Sequence, residues 1–420
     1  MASLQRPFWM DESFSAALAI QPAGMITRVC ANDVHPPGYY FLLCGWNRVA
    51  RQITNNKEPA EKWQLLDFHL NEIETAGTFT WRNAAGQVDK NAGVFPDSPM
   101  FWSEVALAPL WSLRLLSIAF GGVAMLFTGL LARRLFPERF FVTASTMCIF
   151  AASGFTLTWD TVIRSYSCGA AFMAALAFSG VWAAQKQRWR TGAALMGCSA
   201  AFAFLCNYPV LVVFPGVALL VWLAGRMNRR IFLIVSAAFI GAFFIVALLW
   251  GRPFLGQLRQ TPALEHSSFL RALATEYNKV ALDYWQMLYA EGIWHWLADR
   301  KSNYLDPLLN LSPVNPVLYI IALVLYAGGF LGAVLGLKHK ENRYNALAII
   351  GAALLPGIIV VLGNVLKPGT FRMHGRHLYP VAPFFYLLMA YGWSEWVPRW
   401  RNSAAERPAK TPVENAACKL

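Results

Sequence analysis

Four short strings hold the residue types that could do chemistry. Asp11-Glu12 sets two carboxylates side by side near the start of the chain. Neighbouring positions on a helix lie about 100° apart, so the pair cannot serve one face. One carboxylate can act on a substrate while the other holds a loop or a cation; the plainer alternative is a solvated capping pair for a helix beginning near Ser13. His35-Pro36-Pro37-Gly38-Tyr39-Tyr40 follows, with prolines that impose an extended entry and aromatics suited to a membrane–water boundary. In Trp159-Asp160-Thr161-Val162-Ile163-Arg164-Ser165-Tyr166, a lone arginine asks for either an anionic ligand or an acidic partner, and Asp160, four residues before it, is the plainer of the two. Finally, Lys367, Arg372, His374, Arg376 and His377 crowd five cationic or titratable groups into eleven residues. Such a cluster suits a phosphate or pyrophosphate, or anionic lipid headgroups.

Taken together, these groups fit a transfer reaction. A carboxylate takes the proton of an incoming hydroxyl while cations stabilise a departing phosphate. Other chemistries lack their signatures: there is no Gly-rich loop before Lys-Ser or Lys-Thr, no Cys-x-x-Cys and no His-Glu-x-x-His, which sets aside ATP hydrolysis and structural zinc. His266 and His295 lie among Tyr284, Trp285, Tyr289, Trp294 and Trp296 and read as structural residues of interfacial amphipathic helices.

The elements that position these groups are apolar. Of 420 residues, 56% are hydrophobic and 14% charged, whereas a soluble domain carries about a quarter charged residues. The chain therefore reads as an all-α polytopic membrane protein of a cell or inner membrane, with membrane lipids as partners. The net charge of +13 could suggest nucleic acid. The basic residues instead collect at the ends of apolar runs, where they act as topology signals, and no nucleic-acid partner is expected.

Apolar runs occupy Ala106–Ala132, Phe140–Leu157, Ser165–Ala184, Ala193–Asn207, Val210–Ala224, Ile231–Trp250, Val317–Leu337, Ala346–Leu366 and Leu378–Trp396. Every odd-numbered run ends in a basic cluster, beginning with Arg133, Arg134 and Arg139. Alternation then makes residues 1–105 an extracytoplasmic segment, 106–250 and 317–396 membrane helices, 251–316 an extracytoplasmic interfacial loop and 397–420 a cytoplasmic tail. The cationic string around Arg376 falls outside as well. Residues 1–105 must cross the membrane without a leading apolar helix of their own, which leads us to expect a further spanning helix before Met1. Cys30 and Cys44 share the outer segment, leaving a disulfide between them open.

The order of the strings carries a resemblance. Phe8-Trp9-Met10-Asp11-Glu12, His35-Pro36-Pro37-Gly38-Tyr39-Tyr40, Arg114-Leu115-Leu116-Ser117, Arg164-Ser165-Tyr166 and Arg376-His377-Leu378-Tyr379-Pro380 together resemble the GT-C glycosyltransferases, nearest the branch of protein O-mannosyltransferases and aminoarabinose lipid A transferases. The resemblance implies a GT-C-like helix bundle with extracytoplasmic loops and a polyprenyl-phosphate sugar as donor. It implies that Asp11, with Glu12 beside it, is the catalytic base, and that Arg376, with Arg164, Arg372 and His377, binds the donor phosphate. His35, Tyr39, Tyr166 and Asp160 would line the substrate cavity. The acceptor, whether lipid, glycan or protein, stays open, as does a divalent cation. This chain departs from the family at Trp159-Asp160-Thr161, where a Tyr-Ser-Gln string is usual, and in the longer stretch from Phe41 to Ser112, which has room for a small outer subdomain. Two other classes compete: a lipid or polysaccharide flippase, and an envelope-modifying phosphotransferase.

Overall fold

The computed structural model describes residues 10–32, 35–55, 108–259, 269–288, 316–366 and 375–396, together with strand segments between 64 and 102. The described residues open with three helices, α1 (Met10–Ala19), α2 (Ala23–Asn32) and α3 (Gly38–Ile53). Four strands follow: β1 (Gln64–Leu70), β2 (Gly77–Arg82), β3 (Val88–Gly93) and β4 (Phe101–Trp102). They form one antiparallel sheet in the order β3-β2-β1-β4. The all-α expectation thus describes the apolar part of the chain, while the stretch before α4 adds a small sheet, built where Thr78, Phe79, Thr80 and Trp81 supply β-favouring residues.

The bundle comprises α4 (Leu110–Leu135), α5 (Phe140–Ala152), α6 (Gly154–Asp160), α7 (Tyr166–Lys186), α8 (Trp189–Cys206), α9 (Val210–Ala224) and α10 (Arg229–Arg259). It continues with α11 (Phe269–Leu288), α12 (Pro316–Gly336), α13 (Arg343–Leu366), a 3-10 turn (Gly375–Val381) and α14 (Ala382–Ser394). Four of these helices, α4, α7, α10 and α13, are long and apolar enough to cross a membrane. A fifth span results if α5 and α6, bent by 59° at Ser153, count as one. The chain is a membrane protein.

Small residues decide which helices sit at the centre. Along α7, Ala170, Ala171, Ala174, Ala177, Gly180 and Ala183 are buried, letting α4, α8 and α9 approach closely. By contrast α10 exposes Ile240, Phe243, Phe244, Leu248 and Leu249, side chains whose natural solvent is lipid. The closest approach joins α12 to α14. Gly328, Gly332 and Gly336 form a stripe at four-residue spacing, and a Cβ on Gly332 would lie 1.9 Å from the Gly392 carbonyl oxygen. Gly332→Ala must therefore part the two helices. We expect a loss of at least about 1–3 kcal/mol, seen as a lower melting temperature in detergent. Gly122→Ala, with open space around it, is the control and should cost nothing.

The basic connections meet at one end of the bundle. Gln185 Nε2 donates to the Arg134 carbonyl at 3.0 Å, Asn345 Nδ2 donates to the Leu135 carbonyl at 2.6 Å, and Arg139 is ion-paired with Glu395. Gly216 faces Ala352 while Leu219 faces Gly351, so α9 and α13 run antiparallel and Arg226 joins the same end. Opposite this basic end lie the starts of α4 and α7, the end of α6 and the 3-10 turn.

Helix α11 falls within residues 251–316, read above as an interfacial loop. It runs along α13 into the bundle: Asn364 donates to Glu276 at 2.8 Å near one end, and Tyr284 bonds the Ala353 carbonyl three turns deeper along α13. Ala272, Val280 and Met287 bury the inner face. An apolar face this continuous is better satisfied by helices than by headgroups. No disulfide joins Cys30 to Cys44, and the Cys44 thiol donates to the Gln21 carbonyl at 3.6 Å.

Candidate functional site

The end opposite the basic clusters is organised around one ion pair. Glu12 projects from α1, and Arg114 sits in the second turn of α4; both are fully buried. Arg114 Nε donates to Glu12 Oε1 at 3.0 Å and Nη2 donates to Oε2 at 2.8 Å, a two-pronged contact that fixes orientation as well as distance. Glu12 Oε1 also accepts the Ile163 backbone N–H at 3.1 Å. One carboxylate thus ties α1, α4 and the turn 161–165 together. Of the two acidic neighbours, Glu12 is the one that holds a loop and a cation. Both of its oxygens are occupied by donors, so its geometry is that of a positioning residue. Asp11 occupies the adjacent place in the first turn of α1; for it, as for Arg376, only the backbone is described.

The turn held by Glu12 carries Arg164. Its Nη1 donates to the Tyr40 hydroxyl at 2.9 Å, and its guanidinium lies over the Phe14 ring, 5.5 Å from the centroid. A cation on an aromatic face gains electrostatic attraction, most when desolvated, and Arg164 is buried. Phe14 also meets Tyr40 edge-on at 5.5 Å and His35 at 6.2 Å. Tyr39 and Ser117 share a hydrogen bond of 3.0 Å, and Ser117 reaches the Arg164 carbonyl at 3.4 Å. Burial pushes the Tyr39 hydroxyl well above the ordinary phenol range, so it stays a neutral partner for Ser117. The His35–Tyr40 string, the Arg114–Ser117 string and the Arg164–Tyr166 string, scattered over the chain, here share one cluster.

The expected Asp160–Arg164 pair is absent. Helix α6 ends at Asp160 and residues 161–165 form a turn, so the four-residue helical spacing that would join them does not exist. Arg164 turns to Tyr40 and Phe14; Asp160 accepts a hydrogen bond of 2.7 Å from the Tyr379 hydroxyl in the 3-10 turn. That turn brings His377 to the Tyr166 ring, 6.1 Å between centroids. His377 and Trp159 thus pack on Tyr166 at the start of α7, beside the Arg164 turn. Lys367, Arg372 and His374 lie outside the described residues.

Several contributors went unread in the sequence. Arg114 appeared there only as part of a string, although a lone arginine opening an apolar helix calls for a partner. Tyr40, Ser117 and Tyr379 likewise appeared only as members of strings, and Phe14 carried no signal beyond its type. Among the described residues, no three His, Cys, Asp or Glu side chains gather as a metal site would require. No family model, curated protein or solved structure matches this chain.

Proposed function

We propose that the chain is a membrane glycosyltransferase that moves a sugar from a polyprenyl monophosphate to an acceptor on the extracytoplasmic face, with inversion. The observation that carries this reading is the convergence of three sequence strings on the Glu12–Arg114 lock, with Asp11 next to it and Arg164 beside it. This cluster occupies the end of the bundle away from the basic connections. By the bias of Lys and Arg toward cytoplasmic loops, that end is extracytoplasmic and the chain is multi-pass.

In this mechanism Asp11 accepts the proton of the acceptor hydroxyl as its oxygen attacks the anomeric carbon. The carbon–oxygen bond to phosphate breaks and its electrons pass to the phosphate oxygen. Arg164 and Arg376, assisted by Arg372 and His377, neutralise the lipid phosphate released. One displacement without an enzyme-bound sugar inverts the anomeric centre. The substrate's prenyl tail stays in lipid while its head enters the cluster, lined by His35, Tyr39 and Tyr166, with Asp160 behind them.

The direct test supplies the full chain in proteoliposomes with a radiolabelled polyprenyl-phosphate sugar and a membrane extract as acceptor. Label in a new product that is heavier by the sugar alone supports the reading. A product carrying phosphate as well points to a phosphotransferase, and label that crosses the bilayer uncombined points to a flippase. If the two arginines hold donor phosphate, Arg164→Gln and Arg376→Ala should each raise donor KM on the order of tenfold, with a much smaller change in kcat. An unchanged donor KM in both would remove the clamp.

A further inference from the structure

Asp160 stands where the chain departs from its resemblance, and the structure gives it a built seat. A Cβ on Gly121 of α4 would lie 2.1 Å from Asp160 Oδ2 and 2.3 Å from its carboxyl carbon, so the carboxylate rests directly on bare helix backbone. Tyr379 grips the other oxygen at 2.7 Å, and Ser167 on α7 offers a second hydroxyl. Among the described residues no ion pair engages Asp160. Its partners are neutral hydroxyls.

The grip belongs to a longer polar seam. Ser153, Thr156 and Asp160 occupy positions i, i+3 and i+7, one face of α6 and the bend that precedes it. Tyr379 and Tyr386, seven residues apart, meet that face from the 3-10 turn and α14. Tyr386 Oη lies 3.0 Å from Thr156 Oγ1, 2.9 Å from Ser153 Oγ and 3.1 Å from the Met287 carbonyl. The Tyr379 ring packs on Phe155 at 5.5 Å. The seam therefore fastens α6 to the chain around the 3-10 turn, and Asp160 is its last link. Immediately after Asp160 comes the turn that carries Arg164, itself tied down through Ile163 and Ser117.

We propose that Asp160 is a positioning residue that sets the spacing between the Arg164 turn and the Gly375–Val381 turn, and with it the span over which a lipid-linked phosphate is held. The last clause rests on the transferase reading; the fastening does not. A carboxyl group suits the task because its two oxygens can meet the Tyr379 hydroxyl and the Gly121 backbone at the same time. Its short side chain also leaves little freedom to wander.

The experiment uses the full chain in detergent with Tyr379→Phe, Asp160→Asn, Asp160→Ala and Gly121→Ala. Two readouts are taken: hydrogen exchange of the 375–381 backbone amides, and donor KM and kcat with a radiolabelled polyprenyl-phosphate sugar. Tyr379→Phe keeps the buried ring and removes only the donor, so it serves even if a harsher variant folds poorly. We expect faster exchange in 375–381 for Tyr379→Phe, Asp160→Ala and Gly121→Ala, with donor KM raised on the order of tenfold and kcat within about twofold. Asp160→Asn, which keeps an acceptor oxygen, should restore most of both. Exchange in 375–381 unchanged by Tyr379→Phe and Gly121→Ala overturns the proposal. Faster exchange with an unaltered donor KM overturns the link to phosphate spacing. If the unmodified chain transfers no sugar, the transferase reading fails, and the exchange result alone decides the fastening.

Discussion

Replacing Arg114 by alanine is expected to leave little folded protein. The substitution strands Glu12 in a site where both partners are fully buried, and an uncompensated buried charge costs about 3–5 kcal/mol. Against a total stability of about 5–15 kcal/mol this is a large fraction. The damage would spread because Glu12 also holds the Ile163 N–H, so α1, α4 and the 161–165 turn lose their common anchor. The measurement is the yield of monodisperse protein and its melting temperature in detergent. Pairing the change with its complement isolates the cause. Glu12→Gln with Arg114→Met removes both charges, fills the space and keeps an amide oxygen for Ile163, so it should recover most of the stability lost by Arg114→Ala. If Arg114→Ala melted like the unmodified chain, the pair would not be the anchor described.

Asp11→Asn is expected to produce the opposite signature. Asp11 neighbours the lock without being the residue that closes it, so the amide should leave yield and melting temperature unchanged. Losing a general base lowers kcat by roughly 10²–10⁴-fold. On the proposed mechanism donor KM should stay within a few-fold, because there the base acts on the acceptor and not on the donor phosphate. Glu12→Gln should do the reverse, reducing folded yield while the folded fraction keeps a near-normal kcat. The pair of variants forms a crossed test. A normal kcat in Asp11→Asn, or a folded but inactive Glu12→Gln, would reassign the base from Asp11 to Glu12.

The contrast shows what kind of information a linear string holds. The nine apolar runs coincide with helices because burial and lipid exposure act residue by residue, and summed hydropathy records them. The break inside the run Phe140–Leu157 was hidden, because Ser153 and Gly154 barely disturb its average apolarity; the bend there comes from partners on α11 and α14. Asp11 and Glu12 looked alike. Only the arrival of Arg114, 102 positions away, separates them. The same holds for Asp160: sequence spacing paired it with Arg164, and the end of α6 sent it to Tyr379, 219 positions on. The strands between 64 and 102 left no mark because Phe41–Ser112 stood out by its length alone, nor did the glycine stripe of α12, because glycine adds nothing to a hydropathy count.

The enclosure of α14 bears on how the molecule comes to be made. Residues 382–392 are all buried, gripped by α12 through bare backbone and joined by Tyr386 to the bend between α5 and α6. This enclosed helix follows every other described helix in the chain, so in N-to-C synthesis α5, α12 and α13 are made before the segment that fills the space between them. Until Glu395 emerges, Arg139 lacks its counter-charge at the basic end. The bundle closes from its last segment inward, like an arch finished by its keystone.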